Sequence, residues 1–172
     1  MRKRVATLVA WAALITGCGD GVGGSAVAAE RWDPCSITPD AIAATGLDPD
    51  YREGWGTGIE VRDWSLCIFR GPATQPSYFV NIKSSDVFTV KDARANETNL
   101  NGVDMEVDGR DAYRYTTSNS QSITDCNLAV DVANGVVVFT VNSMGTDPIG
   151  ADPCDLVLEH TTDLATLLPP AE

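Results

Sequence analysis

Asp125-Cys126-Asn127-Leu128-Ala129-Val130-Asp131-Val132-Ala133-Asn134-Gly135-Val136-Val137-Val138-Phe139-Thr140-Val141-Asn142-Ser143 reads as a β-hairpin from its residues alone. Asn134-Gly135 tolerates the positive φ angles of a tight two-residue turn, and β-branched and aromatic residues flank it on both sides. Pairing Ala133 with Val136 sets Val132 opposite Val137, Val130 opposite Phe139 and Leu128 opposite Val141, all on one face. Asp131 and Asn127 fall on the other face, as a half-exposed antiparallel sheet requires.

Further strands lie N-terminal to this hairpin. Residues 105–107 and 112–116 flank Asp108-Gly109, a second turn dipeptide. Residues 78–83 alternate, with Phe79 and Asn81 on one face and Tyr78, Val80 and Ile82 on the other. Residues 59–62 and 66–70 read as two strands turning near Asp63-Trp64, and residues 84–99 as a short helix or loop. Thr38-Pro39-Asp40 starts a short helix with a cap, a proline at the first position and an acid at the positive end, and Gly46 stops it. Asp152-Pro153 starts a second helix whose apolar stripe is Cys154, Val157, Leu158, Leu164, Ala165 and Leu168, ended by Pro169-Pro170. The fold class is therefore α+β: an antiparallel sheet of about five to seven strands with a short N-terminal helix and a C-terminal helix packed on it.

The start of the chain reads as an address. Arg2, Lys3 and Arg4 precede an apolar run over residues 5–15, which is shorter than the roughly 20 residues a membrane span needs and fits an export signal. Ile15-Thr16-Gly17-Cys18 supplies an aliphatic residue, a small residue before the cut and a cysteine after it, the pattern of a lipoprotein signal peptide with Cys18 as the lipidated residue. Ordinary secretion, with cleavage after Ala28, is the rival reading, but it puts the cut far beyond the apolar run. Two acyl chains on Cys18 give long-lived membrane attachment. Residues 1–17 are thus the expected leader, 18–31 a Gly- and Ala-rich flexible linker, and 32–172 a single domain.

With Cys18 assigned to lipid, Cys35, Cys67, Cys126 and Cys154 remain, an even number in an exported chain. Three pairings are open, and the two local closures, Cys35–Cys67 and Cys126–Cys154, are favoured. Neither CxxC nor zinc-ligand spacing occurs, so no metal and no cofactor are expected. The 24 acidic against 12 basic residues give a net charge of −12, which argues against nucleic acid as a partner.

Catalytic signals are weak. Asp104, Glu106, Asp108 and Gly109 imitate the first half of a calcium loop, but Tyr115 stands where a bidentate glutamate is needed. His160 is the one histidine and reads as a surface or boundary helix residue, and Gly-x-Ser-x-Gly is absent. No catalytic residue is assigned and the chain is not expected to be an enzyme. Trp32, Trp55 and Trp64 lie in or beside loops; Trp55 and Trp64 are the candidate interface residues.

Taken in order, lipid-modified Cys18, Asp33-Pro34-Cys35 before a small helix, Cys67 in a strand, the Gly109-Arg110-Asp111-Ala112 turn, Cys126 before the Asn134-Gly135 hairpin and the closing Cys154 helix resemble the actinobacterial lipoproteins catalogued as domain of unknown function 3558. The resemblance covers roughly residues 32–168 and implies an exported, envelope-attached α+β domain with no assigned activity. The expected role is non-catalytic: accessory or protein-binding, at the extracytoplasmic face of the cell membrane. The alternative is carriage of a small apolar envelope ligand, such as a lipid, between sheet and helices. Mass spectrometry of the mature N-terminus tests the address: a diacylglyceryl Cys18 is expected, and a free Ala29 would replace the anchor with ordinary secretion.

Overall fold

The computed structural model describes residues 31–117, 125–143 and 149–171; the expected leader, Cys18 and the linker up to residue 30 lie outside them. The described residues form a six-stranded antiparallel sheet of β1 (Ser65–Arg70), β2 (Tyr78–Ser85), β3 (Asn99–Val107), β4 (Arg110–Thr117), β5 (Asp125–Val132) and β6 (Gly135–Ser143). Its spatial order is β1-β2-β6-β5-β4-β3. Helices α1 (Pro39–Ala44), α2 (Val90–Ala95) and α3 (Pro153–Leu164) complete the α+β fold.

The β5–β6 hairpin forms, but two residues out of the expected register. Val132 pairs with Gly135, Val130 with Val137 and Leu128 with Phe139. Ala133 and Asn134 make the turn, and Gly135 sits in the strand at φ 127°. A Cβ on Gly135 would stand 2.0 Å from the carbonyl oxygen of Ser85, so this glycine is required by the approach of β2 as well as by its own backbone. Because side chains alternate with period two, a slip of two residues leaves every side chain on its expected face. The Asp108-Gly109 turn is as read, with φ of 52° and 75°, the geometry of a primed hairpin turn.

Residues 59–62 do not form a strand. Glycine turns bend this segment, the Ile59 amide donating to the carbonyl of Gly56, and Ile59 is left exposed. The outer edge of β1 is met instead by an isolated bridge between Glu53 and Ile68.

One sheet face carries the main core. Cys67, Val80, Ile82, Leu128, Val130, Val137, Phe139 and Val141 are fully buried there beneath α1, α3 and a 3-10 turn (Pro34–Ser36). Thr38 caps α1 by accepting the Ala41 amide, and Asp152 caps α3 by accepting the Cys154 amide. Helix α3 buries Val157, His160, Thr161 and Leu164, a true i, i+3, i+4, i+7 row, while Leu158 is only half-buried. The favoured disulfides are present: Cys35–Cys67 ties the 3-10 turn to β1, and Cys126–Cys154 ties the start of β5 to the start of α3. With sequence separations of 32 and 28, each stabilises the fold by roughly 3–4 kcal/mol on the chain-entropy account. Among the described residues no helix is long and apolar enough to cross a membrane.

The two hairpin glycines, Gly109 in a turn and Gly135 in a strand, separate packing from backbone strain. Gly109 has nothing within 4 Å of an added Cβ, so Gly109→Ala should cost about 1 kcal/mol. Gly135→Ala meets backbone and should cost at least about 2 kcal/mol in urea unfolding; equal losses would remove the packing role given to Gly135.

Candidate functional site

The second sheet face is covered in part by α2, which is fastened by the buried Val90 and by charge. Helix α2 begins with a capping box: Thr89 Oγ1 accepts the Asp92 amide at 3.3 Å, and Asp92 Oδ2 accepts the Thr89 amide at 2.9 Å and its hydroxyl at 2.7 Å. From the last turn of α2, Arg94 donates through Nε to Asp104 at 2.6 Å and makes a bidentate pair with Asp111 at 2.5 and 2.8 Å. Arg94 holds the Asp111 carboxyl below the usual carboxylate range. Its guanidinium also lies 5.7 Å from the centre of the Tyr113 ring. Tyr113 can lie there because residue 102 is glycine: a Cβ at that position would fall 1.7 Å from the tyrosine hydroxyl. The acidic run that imitates a calcium loop thus has Asp104 paired with Arg94 and Asp108 in a turn. Among the described residues no group of three or more His, Cys, Asp or Glu side chains converges to hold a metal ion.

Between α2 and the sheet lies a groove of about 300 Å³. Trp64, Phe88 and Tyr115 give it aromatic walls, Val136 and Val138 an apolar floor, and Asp92, Asn96 and Asn99 polar positions. Trp64 stacks on Phe88 with ring centres 5.3 Å apart and planes 12° from parallel. Burial, with the Asp125 carboxylate adding to it, pushes the Tyr115 hydroxyl up to about 12. The two candidate interface tryptophans are neighbours: the Trp55 indole N–H donates to the Trp64 carbonyl at 3.1 Å. Trp64 packs partly buried against Val90, Ala129, Val136 and Val138, whereas Trp55, Phe88, Val87 and Ile59 remain exposed. Trp32 goes elsewhere, onto the main core. The sequence reading missed Phe88, Asp92 and Tyr115; the available signal was Thr89-x-x-Asp92, an aspartate version of a capping box.

Beyond the groove the same face carries a hydrogen-bonded polar row. Asn81 donates to Asn142 at 2.9 Å, Thr140 to Asn127 at 2.7 Å, and Asn127 to Asp125 at 3.1 Å. Lys83, on β2 beside Val138 of β6, has its ammonium 6.0 Å from the Trp64 ring centre, and burial lowers its pKa.

His160 is not at the surface. It is 2 % exposed, with Nε2 3.0 Å from the Tyr78 hydroxyl and Nδ1 buried without a partner among the described residues. Burial pushes the imidazole below its ordinary range, opposed by the carboxylates of Glu159 and Asp163. A ring packed inside the main core is poorly placed to meet a substrate.

The chain belongs to the family described as a protein of unknown function, DUF3558, whose model matches residues 13–167. Neither a curated protein nor a solved structure matches it. That description assigns His160 no role, and its burial has a consequence for stability. Above about pH 6.5 the ring is neutral in folded and unfolded chains alike; below it the unfolded chain takes up a proton that the buried ring resists. Stability should therefore fall as the pH drops from about 6.5, until the folded ring protonates too. Between pH 7.5 and 5.5 the native chain should lose roughly 1 kcal/mol more than His160→Gln in urea unfolding; parallel losses would show that His160 is not the group responsible.

Proposed function

We propose that this member of the family is an exported actinobacterial lipoprotein, held by acyl chains on Cys18 at the extracytoplasmic face of the cell membrane, and that its domain is a non-catalytic module that binds another envelope protein. The observation that carries the reading is the groove on the second sheet face walled by Trp64, Phe88 and Tyr115, where the exposed Phe88 stacks on Trp64 and the exposed Trp55 donates its indole N–H to the Trp64 carbonyl. Exposed aromatic side chains beside a groove are frequent anchors for protein partners. The net charge of −12 supports a domain that stands off anionic headgroups on its linker.

Carriage of a small apolar ligand is the second reading, favoured by the valine floor of the groove. A groove of about 300 Å³ is at the lower end for a drug-sized molecule. Between the other sheet face and α3 the space is filled by Phe139, Leu128 and Val157.

A photo-crosslinking residue at position 88 of the full chain, expressed in its own cells, should give a polypeptide adduct. One at position 159, on the exposed side of α3, should give none. An adduct of lipid mass at position 88 would favour the carrier, and equal polypeptide adducts at both positions would remove the special role of the groove.

A further inference from the structure

The groove has the chemistry that this chain uses elsewhere to hold an arginine. The Arg70 guanidinium lies 4.7 Å from the Tyr51 ring centre and pairs with Asp48. Arg94 lies on Tyr113 and pairs with Asp104 and Asp111. Each is a planar cation set between an aromatic face and a carboxylate, an arrangement that suits guanidinium better than ammonium. The groove offers the same two partners, the Trp64, Phe88 and Tyr115 rings and the Asp92 carboxylate, and neither Lys nor Arg is among the residues that line it.

We propose that the groove receives an arginine side chain from the protein partner, its aliphatic stem on Val136 and Val138, its guanidinium against the aromatic wall and paired with Asp92. This rests on the protein-binding reading above and names the chemistry of the partner. An apolar side chain fits less well, because it would strip water from the Asp92 carboxylate and return nothing. Both contacts of the Asp92 carboxylate with Thr89 use Oδ2, leaving Oδ1 to a guanidinium. The Thr89 hydroxyl holds the Asp92 carboxyl below its usual range, so it is ionised at neutral pH. Lys83 stands outside the groove lining, at the far limit of contact with Trp64. The acidity of the chain steers a basic partner toward it.

The test titrates the full chain in detergent micelles with Nα-acetyl-arginine methylamide and with its neutral isostere, Nα-acetyl-citrulline methylamide, following the methyl resonances of Val136 and Val138. The arginine probe should move them and bind at least about five-fold tighter than citrulline. Asp92→Asn, which keeps an acceptor for Thr89, should reduce arginine binding about five-fold and leave citrulline unchanged. Phe88→Ala, at an exposed position outside the capping box, should weaken the arginine probe as well. Equal binding of the two probes, or arginine shifts confined to residues 104–108, would overturn the proposal. If the arginine probe fails while position 88 still cross-links a polypeptide, the cation site is lost and the binding module stands. If the probe binds as expected and position 88 cross-links no polypeptide, the partner reading falls and the cation site stands.

Discussion

The burial of one face of the β5–β6 hairpin under α3 is the constraint on which the rest of the molecule depends. Leu128, Val130, Val137 and Phe139 have no exposure, and each contributes about 1.5–3 kcal/mol by leaving water. That sum exceeds the roughly 3–4 kcal/mol of the Cys126–Cys154 bond that fastens the same helix to the same strand. The disulfide fixes where α3 begins, and packing fixes which side it presents. With the hairpin at the centre of the strand order, β2 and β1 extend the sheet on one side and β4 and β3 on the other. Gly135 sets the fit on the β2 side, since its hydrogen is all that separates β6 from the Ser85 carbonyl.

Local chemistry was legible and long-range contact was not. The caps of α1 and α3, the Asp108-Gly109 turn and the alternation along β2 depend on residues within a few positions of one another, and all formed as read. Asn134-Gly135 has the residues of a two-residue turn, yet the glycine is needed against Ser85, fifty positions away, and the pair yields to that contact by moving the turn one place back. The even slip preserved the core face, which is why the buried residues could be foreseen although their partners could not. His160 was misplaced for a related reason. An imidazole counts as polar in a periodicity argument, and only the Tyr78 hydroxyl brought by β2 lets it stay buried in place of Leu158.

The candidate site was visible as two tryptophans and no more. Phe88, Asp92 and Tyr115 are ordinary residues in the chain, and they meet Trp64 only because β4 lies beside β5 and α2 crosses both. The acidic hairpin, whose spacing imitates a calcium loop, serves this site from behind: Asp104 and Asp111 bind Arg94, which helps hold the wall of the groove.

The two faces of the sheet are therefore secured by different physics. On the core face, burial and disulfides act whatever the ionic strength. On the other, α2 has six residues, too few to be helical alone, and it is held by the burial of Val90 in its first turn and by Arg94 paired to carboxylates that are more than half exposed. Exposed ion pairs are weak and screened by salt, so of the two attachments the one through Arg94 depends on ionic strength and the one through Val90 does not. Val136 and Val138 beneath α2 belong to β6 and are paired on both sides, to β2 and to β5, so the floor of the groove does not depend on those ion pairs. Strand pairing thus secures the floor of the groove, whereas its α2 wall is held by one buried valine and by charge, so salt acts on the wall and leaves the floor in place.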